Sequence, residues 1–182
     1  RDVLRNFIKH HLTNDVQVAH FHLANEGLDE WSGVFQVHQA YEIWKCHGEW
    51  VTVQNPSFGP GVADRFKMAS MITQTQAEHA AMRRHEVTEH VAKILKAGTV
   101  FIVPTSPSTA PLRNADAKSL DDFRTRALEM LCVAGLCRLP QLNLPVGMVD
   151  HKPVGLSLIG AHGEDETLIA FAKLLEEVTN GK

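Results

Sequence analysis

Eleven histidines, three cysteines and one serine set in an apolar strand are the side chains of this chain that could do chemistry. The histidines raise metal binding first. His85-Glu86-Val87-Thr88-Glu89-His90 approaches the helical zinc-protease motif, but its histidines are five apart, not four. Positions i and i+4 sit about 40° apart around a helix, whereas i and i+5 sit about 140° apart. One ion is therefore out of reach of both rings, and the pair reads as solvated residues on a helix flank. His10, His11, His20 and His22 read as polar surface residues, and no metal is expected. Ser157, in Gly155-Leu156-Ser157-Leu158-Ile159-Gly160, is set between glycines one residue too far apart for a nucleophile elbow. It reads as a small core residue. Cys132 and Cys137 read as small buried hydrophobes, because a catalytic thiol needs a neighbouring base and a lowered pKa. Glycine-rich phosphate loops are missing from the sequence, so no cofactor is implied.

What remains is a set of strand ends. Thr99-Val100-Phe101-Ile102-Val103 runs into Pro104-Thr105-Ser106-Pro107, and Cys137-Arg138-Leu139-Pro140-Gln141 leads into a second apolar run. In open α/β sheets ligands gather in crevices at strand ends. Thr105, Ser106, Cys137, Leu139 and Gln141 are thus the candidate pocket-wall residues, with ordinary loop packing as the alternative.

The elements that must position them follow from periodicity. Residues 1–12 carry a 3–4 spaced apolar stripe and read as the end of an amphipathic helix. The chain opens at Arg1 and enters that stripe directly, as a fragment or a processed chain would, with a trimmed chain as the alternative. Residues 16–24 alternate in part and suggest a strand. Residues 28–47 read as an aromatic-faced helix, whose Trp31, Phe35, Tyr41 and Trp44 suit core packing better than an aryl-substrate site. Residues 55–61 are a breaker-rich loop. A helical stretch over 62–96 is long enough to demand a break. Strands are expected at 99–104, 141–146 and 153–159, with a loop over 105–118. A weak capping signal, Ser119 before Asp122, points to a helix over 120–134. A last helix is expected over 164–179. Helix alternating with apolar strand is an α/β pattern, with a sheet covered on both faces.

Composition narrows the class. Hydrophobic residues make up 44% and charged residues 21%, as in a globular domain with a real core. A net charge of −3 argues for neither a nucleic-acid nor a membrane surface, so neither partner is expected, and no apolar run approaches the roughly 20 residues that span a bilayer. Three sparse cysteines suit a reducing, cytoplasmic compartment.

Four segments, in order, resemble the C-terminal half of the amidase signature family. They are Phe58-Gly59-Pro60-Gly61-Val62-Ala63-Asp64-Arg65, Val100 to Pro111, Ala134 to Gly147, and Pro153 to Ala161 with the acidic helix start beyond. Residues 28–53, with Glu30-Trp31 and Glu42-Ile43-Trp44, are similar to a segment of indole-acetamide hydrolase-like amidases. The resemblance implies an α/β fold with a mixed sheet covered by helices. It also implies hydrolysis of a carboxamide to carboxylate and ammonia or amine, through a serine acyl-enzyme with a second serine and a lysine. No Gly-Gly-Ser-Ser-Gly-like run and no lysine in the family's context occur here, so no catalytic residue is assigned to this chain. It is expected to form a single partial domain. Residues 1–57 would be a mostly helical lead-in, and residues 58–182 sheet core with flanking helices and part of the substrate pocket. The implied partners are a small amide and the N-terminal half of the amidase domain, with a homo-oligomer as a further expectation. This chain by itself is expected to be inactive. The alternative is a non-catalytic, amidase-derived binding module or subunit.

Overall fold

The computed structural model describes residues 6, 7, 12 and 16–180. Asn6 and Phe7 are helical and Leu12 lies at a bend; the rest of the expected N-terminal helix lies outside the described residues. Five helices and three strands follow: α1 (Leu28–Gln54), α2 (Pro60–Ser70), α3 (Gln74–Ile94), β1 (Phe101–Pro104), α4 (Ala117–Cys137), β2 (Gln141–Val149), β3 (Lys152–Ile159) and α5 (Asp165–Asn180).

Local chemistry sets the helix ends. α1 runs past the expected limit and stops at Asn55, which takes the left-handed conformation (φ 41°) and donates its N–H to the Val51 carbonyl. The expected break in the 62–96 stretch falls at Met71–Thr73. There the Thr73 hydroxyl accepts the Gln76 N–H, and the Gln76 side chain accepts the Thr73 N–H at 2.9 Å. That reciprocal capping box satisfies two N–H groups that the first turn of α3 would otherwise leave unpaired. α4 begins earlier than expected because Asp116, rather than Ser119, is its cap. The Asp116 carboxylate accepts both the backbone N–H (2.9 Å) and the hydroxyl (2.6 Å) of Ser119.

Residues 16–24 form no strand, contrary to the alternation read from the sequence. They join no ladder with β1, and side-chain packing holds them instead: the Phe21 ring sits 5.2 Å from that of Phe101.

The sheet has the order β1-β3-β2, and within the described residues both pairings are antiparallel. β2 and β3 are joined by a two-residue turn, Asp150 (φ 49°) and His151 (φ 59°). Positive φ at both central positions gives the twist that a tight hairpin needs. A register shift between Pro145 and Gly147 accommodates Pro145 within β2. Alternation then divides the strands between two cores. Phe101, Val103 and Ile159 pack with Trp31, Val91, Leu136 and their neighbours from α1, α3 and α4. Ile102, Leu142, Leu144, Leu156 and Leu158 pack with Leu168 and Ala172 of α5. The fold is α/β, with helices on both faces of the sheet.

Candidate functional site

Beside the first core, on the same sheet face, the apolar alternation gives way to four polar residues: Thr105, Gln141, Asn143 and Ser157. Thr105 follows β1, and its N–H bonds the Gly155 carbonyl at 3.2 Å, which fixes the backbone against β3. Its hydroxyl donates to Asn143 Oδ1 and lies 3.0 Å from Ser157 Oγ. Gln141 Nε2 donates to Ser157 Oγ at 2.8 Å. Ser157 stands opposite both Val103 and Asn143 and is wholly buried. It is a core residue as its surroundings suggested, but a hydrogen-bonded one, as a buried hydroxyl must be. Thr105 is half-buried, whereas Gln141 and Asn143 are exposed.

Gly155 makes this contact possible. A Cβ there would lie 2.4 Å from Asn143 Oδ1 and 3.1 Å from the Leu144 carbonyl. Without it, side chains from the two strands flanking β3 reach each other.

Of the five pocket-wall candidates, Thr105 and Gln141 are brought together through Ser157. Ser106 instead donates to the Ser108 carbonyl at 2.6 Å within the loop. Leu139 packs against the first core, and its N–H bonds the Ala134 carbonyl at 2.9 Å. Cys137 is buried in that core; burial pushes its thiol pKa up, against an opposing hydrogen bond with Thr88.

A second polar group surrounds the C-terminal end of α4, just before β2. Arg84 of α3 donates Nε–H to the Leu136 carbonyl at 2.7 Å, satisfying one of the helix's last acceptors. The same guanidinium bonds His38 Nε2 on α1, and Glu42 lies 3.5 Å from that nitrogen. Burial and then the Arg84 charge hold the His38 pKa below its usual value, with Arg138 adding to this and Glu42 opposing it. His38 is therefore the acceptor in the Arg84 contact, and the Arg84 fork joins three helices at the entry to β2. His90 is not simply solvated: its Nε2 lies 2.9 Å from the Leu23 carbonyl, and its ring meets Trp31 edge-on at 6.1 Å.

Sequence reasoning missed Asn143 and Arg84. Asn143 carried a signal: Gln141 and Asn143 are polar residues two apart in an otherwise apolar strand, so they share a face. Arg84 carried none, since its partners are a backbone carbonyl 52 residues away and a ring 46 residues away.

A cavity of about 650 Å³ lies elsewhere, between residues 16–23, the outer edge of β1 and Phe171 of α5. It does not touch the polar quartet.

The family model described as Amidase matches residues 49–169. Amidase 1 of Arabidopsis thaliana is 27% identical over 168 residues, 92% of this chain and 40% of the relative. The translocon at the outer membrane of chloroplasts 64 of Pisum sativum is 27% identical over 163 residues, 90% of this chain and 28% of the relative. Among solved structures, an allophanate hydrolase of Kluyveromyces lactis superposes with a TM-score of 0.81 at 21% identity, over 97% of this chain and 28% of that one. That likeness shows the fold. The chain spans less than half the length of these relatives.

Proposed function

Because the chain belongs to the amidase family, we propose that the protein carrying it hydrolyses a carboxamide to a carboxylate and ammonia or amine, through a serine acyl-enzyme. The family match over residues 49–169 carries this reading, since it takes in the end of α1, helices α2 to α4 and all three strands. This chain supplies core strands and one wall of the substrate pocket. The nucleophile, its partner serine and the lysine belong to sequence beyond these 182 residues, in the N-terminal half of the same domain. One feature supports a missing half: the outer edges of β1 and β2 are unpaired among the described residues, and such edges need covering. The chain by itself is then inactive and prone to self-association.

The test uses the full-length protein. Released ammonia or amine is measured over a panel of amides, an arylacetamide among them because of the resemblance around Trp31 and Trp44. A fluorophosphonate probe should label one serine, and peptide mapping locates it. Labelling of Ser157, Ser106 or any other serine of this chain would overturn the division of labour.

A second reading, a non-catalytic amidase-derived module, is favoured by the pea relative, whose name is that of a translocon component rather than a hydrolase. Full-length protein that neither turns over amides nor takes the probe would establish it.

A further inference from the structure

Leu136, near the end of α4, presents a carbonyl that its own helix cannot satisfy. The residue four on is Pro140, which has no N–H to give. The residue three on, Leu139, gives its N–H to the Ala134 carbonyl. Leu136 is 1% exposed, so solvent is a poor substitute. Arg84 of α3 fills the gap through Nε–H at 2.7 Å. The same guanidinium gives Nη1–H to His38 Nε2 on α1. Two bonds from one rigid plane fix its orientation. They fix the end of α4 with it, and so the path through Arg138 (φ 56°) and Pro140 to Gln141 at the head of β2.

His38 Nε2 has two neighbours that demand opposite roles of it. Arg84 can only donate, so towards Arg84 the nitrogen accepts and carries no proton. Glu42, one turn along α1 with its carboxylate 3.5 Å away, can only accept while ionised. The nitrogen serves one of them at a time. Neutral, it holds Arg84. Protonated, it sets an N–H and a positive charge against Arg84, and Glu42 becomes its partner. The His38 side chain is 20% exposed, so these neighbours decide the matter more than water does. The charges facing the ring are Arg84 from α3, Glu42 from α1 itself and Arg138 from the end of α4. Burial and the two guanidiniums disfavour the proton, and Glu42 favours it. Turning Nη1 away from an imidazolium swings the whole guanidinium plane, and Nε–H then leaves the Leu136 carbonyl.

We propose that Arg84 is a positioning residue for the pocket wall at the head of β2, and that His38 is its proton-operated latch. The neutral ring holds Arg84 against α4; a proton turns His38 to Glu42 and releases the wall. The latch stands on the geometry around Nε2, and its effect on substrate rests on the amidase reading above.

The full-length protein is followed from about pH 8 to about pH 5, the range in which a histidine titrates, by two measurements. The first needs no activity. NMR of isotope-labelled arginine and histidine follows the Arg84 Nε–H, assigned by its loss in Arg84→Lys, and the His38 ring. The Arg84 shift, displaced from that of free arginine by the carbonyl bond, should return towards it as His38 titrates. In His38→Gln, which offers an acceptor and takes no proton, it should stay displaced throughout. In Glu42→Gln both transitions should move to lower pH. The second measurement is kinetic, on whichever amide of the panel is turned over. Where only the latched form binds, KM rises towards about tenfold per pH unit below the His38 midpoint, with kcat little changed. His38→Gln should lose this acid limb and keep the wild-type KM at pH 8. Arg84→Lys, a point charge without the fork, should raise KM at every pH and lose the limb as well. Thermal unfolding identifies a variant that does not fold, and the wild-type titration then carries the test. An Arg84 signal that stays in place while His38 titrates overturns the latch. An acid limb in KM that folded His38→Gln retains overturns its hold on the pocket wall. A protein that hydrolyses no amide overturns the amidase reading, and the NMR titration still decides the latch.

Discussion

Thr105 and Asn143 lie 38 residues apart, on segments that flank β3 from opposite sides, yet their side chains bond directly across it. The crossing passes over Gly155, where a Cβ would lie 2.4 Å from the Asn143 carbonyl oxygen. Gly155→Ala should therefore displace Asn143 and break its bond with Thr105. Overpacking of this kind costs about 1–3 kcal/mol. The urea midpoint should fall with an unchanged slope. In Thr105→Val, where the bond is already absent, Gly155→Ala should cost less. An equal loss in both backgrounds would show that the crossing contact is energetically idle.

His38 predicts a pH dependence. Its pKa is lowered in the folded protein by burial and by Arg84, so on acidification the unfolded chain takes up this proton first. The stability tied to the neutral ring is present above the ordinary histidine value of about 6.5. It is lost as pH falls through that value towards the depressed folded one. His38→Gln retains an acceptor for Arg84 and does not titrate. Its stability, measured by denaturant unfolding between about pH 7 and pH 5, should decline less steeply than that of wild type. Parallel curves would remove His38 from the acid response.

The two strands of the hairpin and the last helix were legible because their signals are local: apolar runs between Pro and Gly, and acidic residues at a helix start. The break in the 62–96 stretch was legible from length alone. Its position was also written in the chain, as Thr73 three before Gln76, and went unread beside the stronger apolar stripe. Residues 16–24 misled because no buried face stands behind their alternation: Val16 and Val18 are 39% and 46% exposed, and it is the out-of-phase Phe21 that packs on Phe101. The polar quartet was half visible. Thr105 and Gln141 stood out as strand-end residues, but the link through Ser157 depends on strand order and register, and no single segment specifies either. Cys137 was singled out by position in the chain, and helix α4 turns it into the core.

The core position of the cysteines has a chemical consequence. Burial raises the Cys132 thiol pKa to about 11 and pushes that of Cys137 up as well. The thiolate is the reactive form, so at pH 8 both should resist iodoacetamide in the native protein and react once urea unfolds it. Mass mapping of the alkylated peptides reads this directly. Rapid labelling of Cys137 in native protein would place its sulfur at an accessible surface.

The β2–β3 turn carries strain that one substitution should relieve. Asp150 and His151 both have positive φ, a region where a Cβ crowds the backbone and which costs an ordinary residue about 1–2 kcal/mol. Asp tolerates it through local hydrogen bonding; His does so less well. His151→Gly removes the crowding but gives the unfolded chain more freedom, which returns part of the gain. The net effect should be a stabilisation of about 1 kcal/mol or less, seen as a higher urea midpoint. Lys152→Gly, one residue on and in regular β3, gains nothing from the turn and should lower the midpoint. If both glycines lower it, the turn is relaxed as it stands, and the hairpin owes its register to the Pro145–Gly147 irregularity and the Leu156 and Leu158 side chains instead.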